Sequence, residues 1–141
     1  MSIQIGEHIP EATLNTLKDG VQAINTSELF DGKKVVLFAV PGAFTPTCSA
    51  KHLPGYIDKL DAFTAKGFEV ACLSVNDAFV MGAWGRDQKT QGKVRMMADG
   101  SADFAKATGL TLDLTSRGMG LRSQRYSMLV VDGVVKALNI E

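Results

Sequence analysis

The stretch VVLFAVPGAFTPTCSAKHLPGY, residues 35–56, decides how this chain is read. Its first six residues are an uninterrupted apolar run, the pattern of a central strand covered on both faces. Pro41 and Gly42 stop that strand. Thr45 followed by Pro46 then opens a helix: threonine is a favourable N-cap, and proline at the first helical position lacks only an N–H that no helical carbonyl would have accepted. Cys48 falls in the first turn of that helix, beside free backbone N–H groups and the positive end of the helix dipole.

Working outward, the run FEVACLSV (68–75) has the same near-continuous apolar character. Between the two runs lie a helix starting at Thr45 and breaking near Pro54 and Gly55, then a helical piece over 57–66 closed by Gly67. That spacing suits a right-handed crossover between parallel strands. Upstream, ATLNTL (12–17) and VQAIN (21–25) flank Asp19-Gly20 and predict an opening hairpin. Downstream, a helix from Asn76 or Asp77 runs through Trp84. SADFAKAT (101–108) makes another, with Ser101 as its N-cap and Gly109 past its end. YSMLVV (126–131) and VVKAL (134–138) form a last hairpin around Asp132-Gly133. The order implies an α/β fold with a central mixed sheet flanked by helices and an N-terminal β-hairpin.

Composition narrows the function. With 141 residues, 45% of them hydrophobic, the chain is long enough to bury a core as one domain. Fifteen Lys and Arg balance fifteen Asp and Glu, so no field of one sign gathers nucleic acid or anionic lipid. No apolar run approaches the roughly 20 residues of a membrane span, and the start MSIQIGEHIP has no export-signal pattern. These features predict a soluble, cytoplasmic protein. Two histidines and two cysteines offer no zinc ligand set, and no cofactor is expected.

Most free cysteines are small packing residues. Cys72, in the middle of an apolar strand, fits that role. Cys48 does not: a thiol of pKa about 8.5 is roughly 3% ionised at neutral pH, whereas one lowered to about 6 is roughly 90% ionised. A loop at the carboxyl end of a central strand is also where ligands collect in open α/β sheets. His52, four residues on, shares a helical face with Cys48 and leaves open a Cys-His hydrolase or thiol transferase.

PGAFTPTC resembles the PxxxTxxC motif of peroxiredoxins, with Pro41, Thr45 and Cys48 in the defining positions. HLPGY, ACLSVNDAFV, WGRDQ, ADGSADFAKATGL and RSQRYSMLVVDGVVKALNIE extend the likeness to the type-five subgroup over nearly the whole chain. The resemblance implies one thioredoxin-like domain over residues 1–141, short of a C-terminal helix that relatives carry. It implies a thiol-dependent peroxidase for hydrogen peroxide and small alkyl hydroperoxides, in which the Cys48 thiolate becomes a sulfenic acid. Thr45 would hydrogen-bond thiolate and peroxide, Pro41 would shield them from water, and Arg125, in its RYSM context, would stabilise the negative charge. Arg122 is a second candidate for that role. With no thiol beyond Cys72, the resemblance implies a one-cysteine cycle recharged by glutathione and glutaredoxin or by thioredoxin. It also implies a homodimer, to which Phe79 and Trp84 are candidates to contribute. A peroxide sensor would share the first chemical step.

Overall fold

Every residue from Val35 to Val40 is buried, and alternate side chains enter two different cores. The computed structural model describes residues 2–17, 19–45, 55, 59–89 and 94–140. Nine strands are described: β1 Thr13–Leu17, β2 Val21–Asn25, β3 Lys34–Val40, β4 Phe68–Ser74, β5 Val94–Ala98, β6 Thr111–Leu114, β7 Gly120–Ser123, β8 Tyr126–Val131 and β9 Val134–Ile140. Seven form one sheet in the order β2-β1-β5-β4-β3-β8-β9, and β6 with β7 makes a separate two-stranded sheet. β3, β4 and β5 are parallel to one another, while β1, β8 and β9 join antiparallel. The mixed sheet with flanking helices is the α/β architecture expected.

The period-two alternation of β3 sorts the helices onto its faces. Val35, Leu37 and Ala39 pack with Leu29 and Phe30 of α1 (Thr26–Phe30) and Phe104 of α4 (Asp103–Thr108). Val36, Phe38 and Val40 pack instead with Ala78, Met81 and Trp84 of α3 (Ala78–Asp87), with Phe63 of α2 (Leu60–Ala65) at the margin. Cys72 of β4 belongs to this second core and is fully buried between Phe38 and Met96 on the neighbouring strands. Trp84 is equally buried, which assigns it to the core, whereas Phe79 is 64% exposed.

Both hairpins form as expected. Asp132 and Gly133 take φ of 48° and 77°, the doubly positive geometry of the tight turn that Asp-Gly favours. The helix expected from Thr45 to near Gly55 falls largely outside the described residues; among those described, α2 lies in that crossover. The sequence reading did not include α1, the β6–β7 pair or β5, whose VRMMA carries an arginine and no strong alternation.

One expected cap is corrected. Ser101 does not cap α4; the preceding residue is Ala102, in left-handed geometry at φ 62°, with no side-chain bond. The free N–H groups of Phe104 and Ala105 donate instead to Asp99 Oδ1 at 3.0 Å and Oδ2 at 2.9 Å. A carboxylate with two oxygens satisfies two orphan donors where a serine hydroxyl satisfies one. Burial of Asp99 pushes its carboxyl above the ordinary 3.8, against the lowering effect of these bonds. An acid held protonated longer in the folded chain contributes its full stability at low pH and loses it as pH rises through the folded pKa. Relative to Asp99→Asn, the wild-type advantage in urea unfolding should therefore narrow as pH rises above about 4. A gap that widens over that range contradicts the assignment.

Candidate active site

The three parallel strands end level with one another. Val40 pairs with Ser74, and Ser74 with Ala98, so the segments following β3, β4 and β5 emerge side by side. The 41–45 segment lies here. Its turn is closed by Thr45, whose Oγ1–H donates to the Gly42 carbonyl at 2.7 Å while its N–H approaches the same oxygen at 3.4 Å. Phe44, between them, is 49% exposed and adopts φ of 63°, an uncommon geometry for a bulky side chain. Its ring stands 6.4 Å from the buried Trp84 ring, which ties the turn to α3.

Two further bonds hold the segment. From the inside, the Ala43 N–H donates to Asn76 Oδ1 at 3.0 Å. From the outside, Arg122 of β7 donates through Nε to the Met119 carbonyl at 2.8 Å and through Nη1 to the Pro41 carbonyl at 3.4 Å. Gly42 is buried and closely approached: a Cβ there would lie 3.0 Å from Thr45 Cγ2, 3.3 Å from Arg122 Nη1 and 3.5 Å from Met119 Cε, so these side chains would have to give way.

Arg125 enters from the neighbouring strand. It immediately precedes Tyr126, which pairs with Ala39, so it stands beside the last residues of β3 and the start of the loop. Its Nη1 is shielded from solvent. Pro41, Thr45 and Arg125 thus belong to one end of the sheet, joined by Arg122. Cys48 and His52 lie outside the described residues. Sequence reasoning missed Asn76, whose one signal was an amide side chain directly after a central strand.

The redoxin family's sequence profile matches residues 4–141. The chain belongs to the redoxin family, within its peroxiredoxins. It is 48% identical to Peroxiredoxin-2E, chloroplastic, of Arabidopsis thaliana over 99% of its own length, and spans 62% of that protein, less than two thirds. It is 44% identical to Peroxiredoxin-2B of the same plant, covering 99% of this chain and 88% of that one. Among solved structures, reduced Prx3 of Vibrio vulnificus in complex with H2O2 superposes with a TM-score of 0.94 at 55% identity, over 99% of this chain and 88% of that one. The thioredoxin-like fold expected from the sequence is the fold observed.

In this peroxiredoxin Gly42 and Arg122 share one contact, and their substitutions should not add. Gly42→Ala is expected to cost about 1–2 kcal/mol in thermal unfolding by crowding Thr45 and the guanidinium. In an Arg122→Ala background the same change should cost at least about 0.5 kcal/mol less. Strict additivity would show that the close approach carries no energy.

Proposed function

We propose that this chain is a thiol-dependent peroxidase working through Cys48. The observation that carries the reading is the placement of Pro41, Thr45 and the shielded Arg125 Nη1 at the end of β3, with Thr45 three residues before the cysteine in sequence. The likeness to a Prx3 that binds H2O2 supports it.

In this reading the Cys48 thiolate attacks one peroxide oxygen and an S–O bond forms as the O–O bond breaks. The sulfur is oxidised to sulfenic acid, and the departing oxygen leaves as water or alcohol after taking a proton. Arg125 is a permanent, planar donor that stabilises both the thiolate and the charge growing on the leaving oxygen. The Thr45 hydroxyl, already oriented by the Gly42 carbonyl, has lone pairs free to accept from the peroxide. Pro41 adds an apolar wall with no donor.

The cycle then uses one cysteine of this chain. Cys72 is fully buried in the middle of β4, among apolar side chains that disfavour its thiolate. An external thiol attacks the sulfenic sulfur and releases water; a second thiol resolves the mixed disulfide. Glutathione with glutaredoxin, or thioredoxin, supplies those thiols. The assembly is a homodimer, for which Phe79 offers an exposed apolar side chain, and sedimentation of Phe79→Asp as a monomer is the expected sign of its involvement.

Rapid mixing of the reduced protein with hydrogen peroxide tests the reading. Oxidation should be abolished in Cys48→Ser and unchanged in Cys72→Ser and His52→Ala. Equal loss in His52→Ala favours a Cys-His pair, and loss of turnover with glutathione and glutaredoxin in Cys72→Ser refutes the one-cysteine cycle. Failure of any reductant to sustain turnover identifies a single-use sensor.

A further inference from the structure

The loop that carries Pro41 and Thr45 has few internal anchors, and one of them is a side chain from another strand end. Asn76 Oδ1 accepts from the Ala43 N–H at 3.0 Å and from the Ser74 hydroxyl at 2.6 Å. Because both groups are donors, the amide oxygen, not its nitrogen, must face the loop. Ser74 is itself completely buried, and its carbonyl accepts the Asp99 N–H at 2.9 Å. A Cβ at Gly100 would stand 3.6 Å from the Asn76 carbonyl, so the turn after β5 packs against the Asn76 backbone. Asn76 is therefore braced by β4 and by the turn after β5 while its side chain holds the turn after β3.

We propose that Asn76 is a positioning residue of the peroxide site, setting the place of Thr45 through the Ala43 amide. This rests on the peroxidase reading above. The alternative is a strand-end cap that stabilises the fold without affecting the chemistry. Three features favour positioning. The bonded amide lies two residues from Thr45 and two from Pro41, so a shift at Ala43 moves both. The Arg122 bond to the Pro41 carbonyl is longer at 3.4 Å, comes from a half-buried side chain and meets a different residue of the loop, so it does not hold the Ala43 amide. Phe44, between Ala43 and Thr45, holds a left-handed geometry that persists only where its surroundings enforce it. A displacement on the order of 1 Å in a reacting constellation can slow a reaction by up to about a hundredfold.

The test compares Asn76→Ala, Asn76→Asp and Ser74→Ala in the full chain. Three readouts are taken: the rate of Cys48 oxidation by hydrogen peroxide, the pH profile of its alkylation by iodoacetamide, and hydrogen exchange of the Ala43 amide. Alkylation gives the thiolate fraction, so oxidation rates are compared per thiolate. Asn76→Ala should oxidise about tenfold more slowly, the equivalent of one lost hydrogen bond, and should lose protection at Ala43. Asn76→Asp keeps an acceptor facing Ala43 and should recover to within about threefold of wild type. Ser74→Ala leaves the Ala43 bond in place but frees the amide to rotate, with an expected loss of about two- to threefold. It serves as the decisive variant where Asn76→Ala fails to fold.

A wild-type oxidation rate in a folded Asn76→Ala, or in Ser74→Ala where that variant does not fold, overturns the proposal. So does an aspartate variant no faster than the alanine one. Both outcomes leave wild-type peroxidase activity intact. A wild type that does not react with peroxide strikes instead at the peroxidase reading, and the Ala43 exchange then shows whether the anchor exists without the chemistry.

Discussion

The parallel ladder of β3 with β4 is the constraint from which the rest follows. It pairs Lys34 with Phe68 through to Val40 with Ser74 without a break, and β5 continues it from β4. Because β3 is buried on both faces, a slip of one residue would exchange Leu37 with Phe38 between two cores of different shape. Register is therefore held by packing along the whole strand, and so is the level at which the three strands stop. That level places the segment after Val40 beside the residues after Ser74 and Ala98. Neither the loop's own sequence nor its turn geometry could select those neighbours.

Where the strands stop, the buried interior changes from apolar to polar. Asp99 holds the α4 N–H groups through its side chain, and its own N–H reaches Ser74. The Ser74 hydroxyl reaches Asn76, which receives Ala43. Buried polar groups in such a chain are tolerable because each finds a partner. The Tyr126 hydroxyl departs from this rule, being buried and without a hydrogen bond. Burial, and then the charge of Asp99, push its phenol far above the ordinary value, so it remains neutral. The layer under the loop thus carries a carboxyl and a phenol that burial pushes upward in the same direction.

The sequence showed the strands that are apolar throughout and the turns with a chemical signature. The β3 and β4 runs, the Asp-Gly hairpins and the Gly109 cap were all legible because each depends on local composition alone. β5 was not, since VRMMA becomes a strand only through its pairing with β4. The Ser101 cap failed for a related reason. Serine matched the local pattern, but Asp99, from farther back, reaches over the left-handed Ala102 with two oxygens. At the site, Pro41 and Thr45 could be read from a motif, and Arg125 from a resemblance. Asn76 had no motif, because its role depends on where a different strand ends.

The two arginines near the loop differ in what their surroundings require. Arg122 is half-buried and donates to the carbonyls of Met119 and Pro41, so neutral backbone oxygens take up part of its charge and the rest faces water. Arg125 has Nη1 withdrawn from solvent at the start of β8. A guanidinium does not relieve burial by losing its proton. Its environment must therefore supply acceptors, and a neighbouring group able to take a negative charge gains from doing so. A lysine at that position could shed its proton when buried and would weaken that bias. Both arginines are half-buried, but the withdrawn Nη1 of Arg125 favours a guanidinium over an ammonium there, whereas Arg122 bonds the Pro41 carbonyl of the loop.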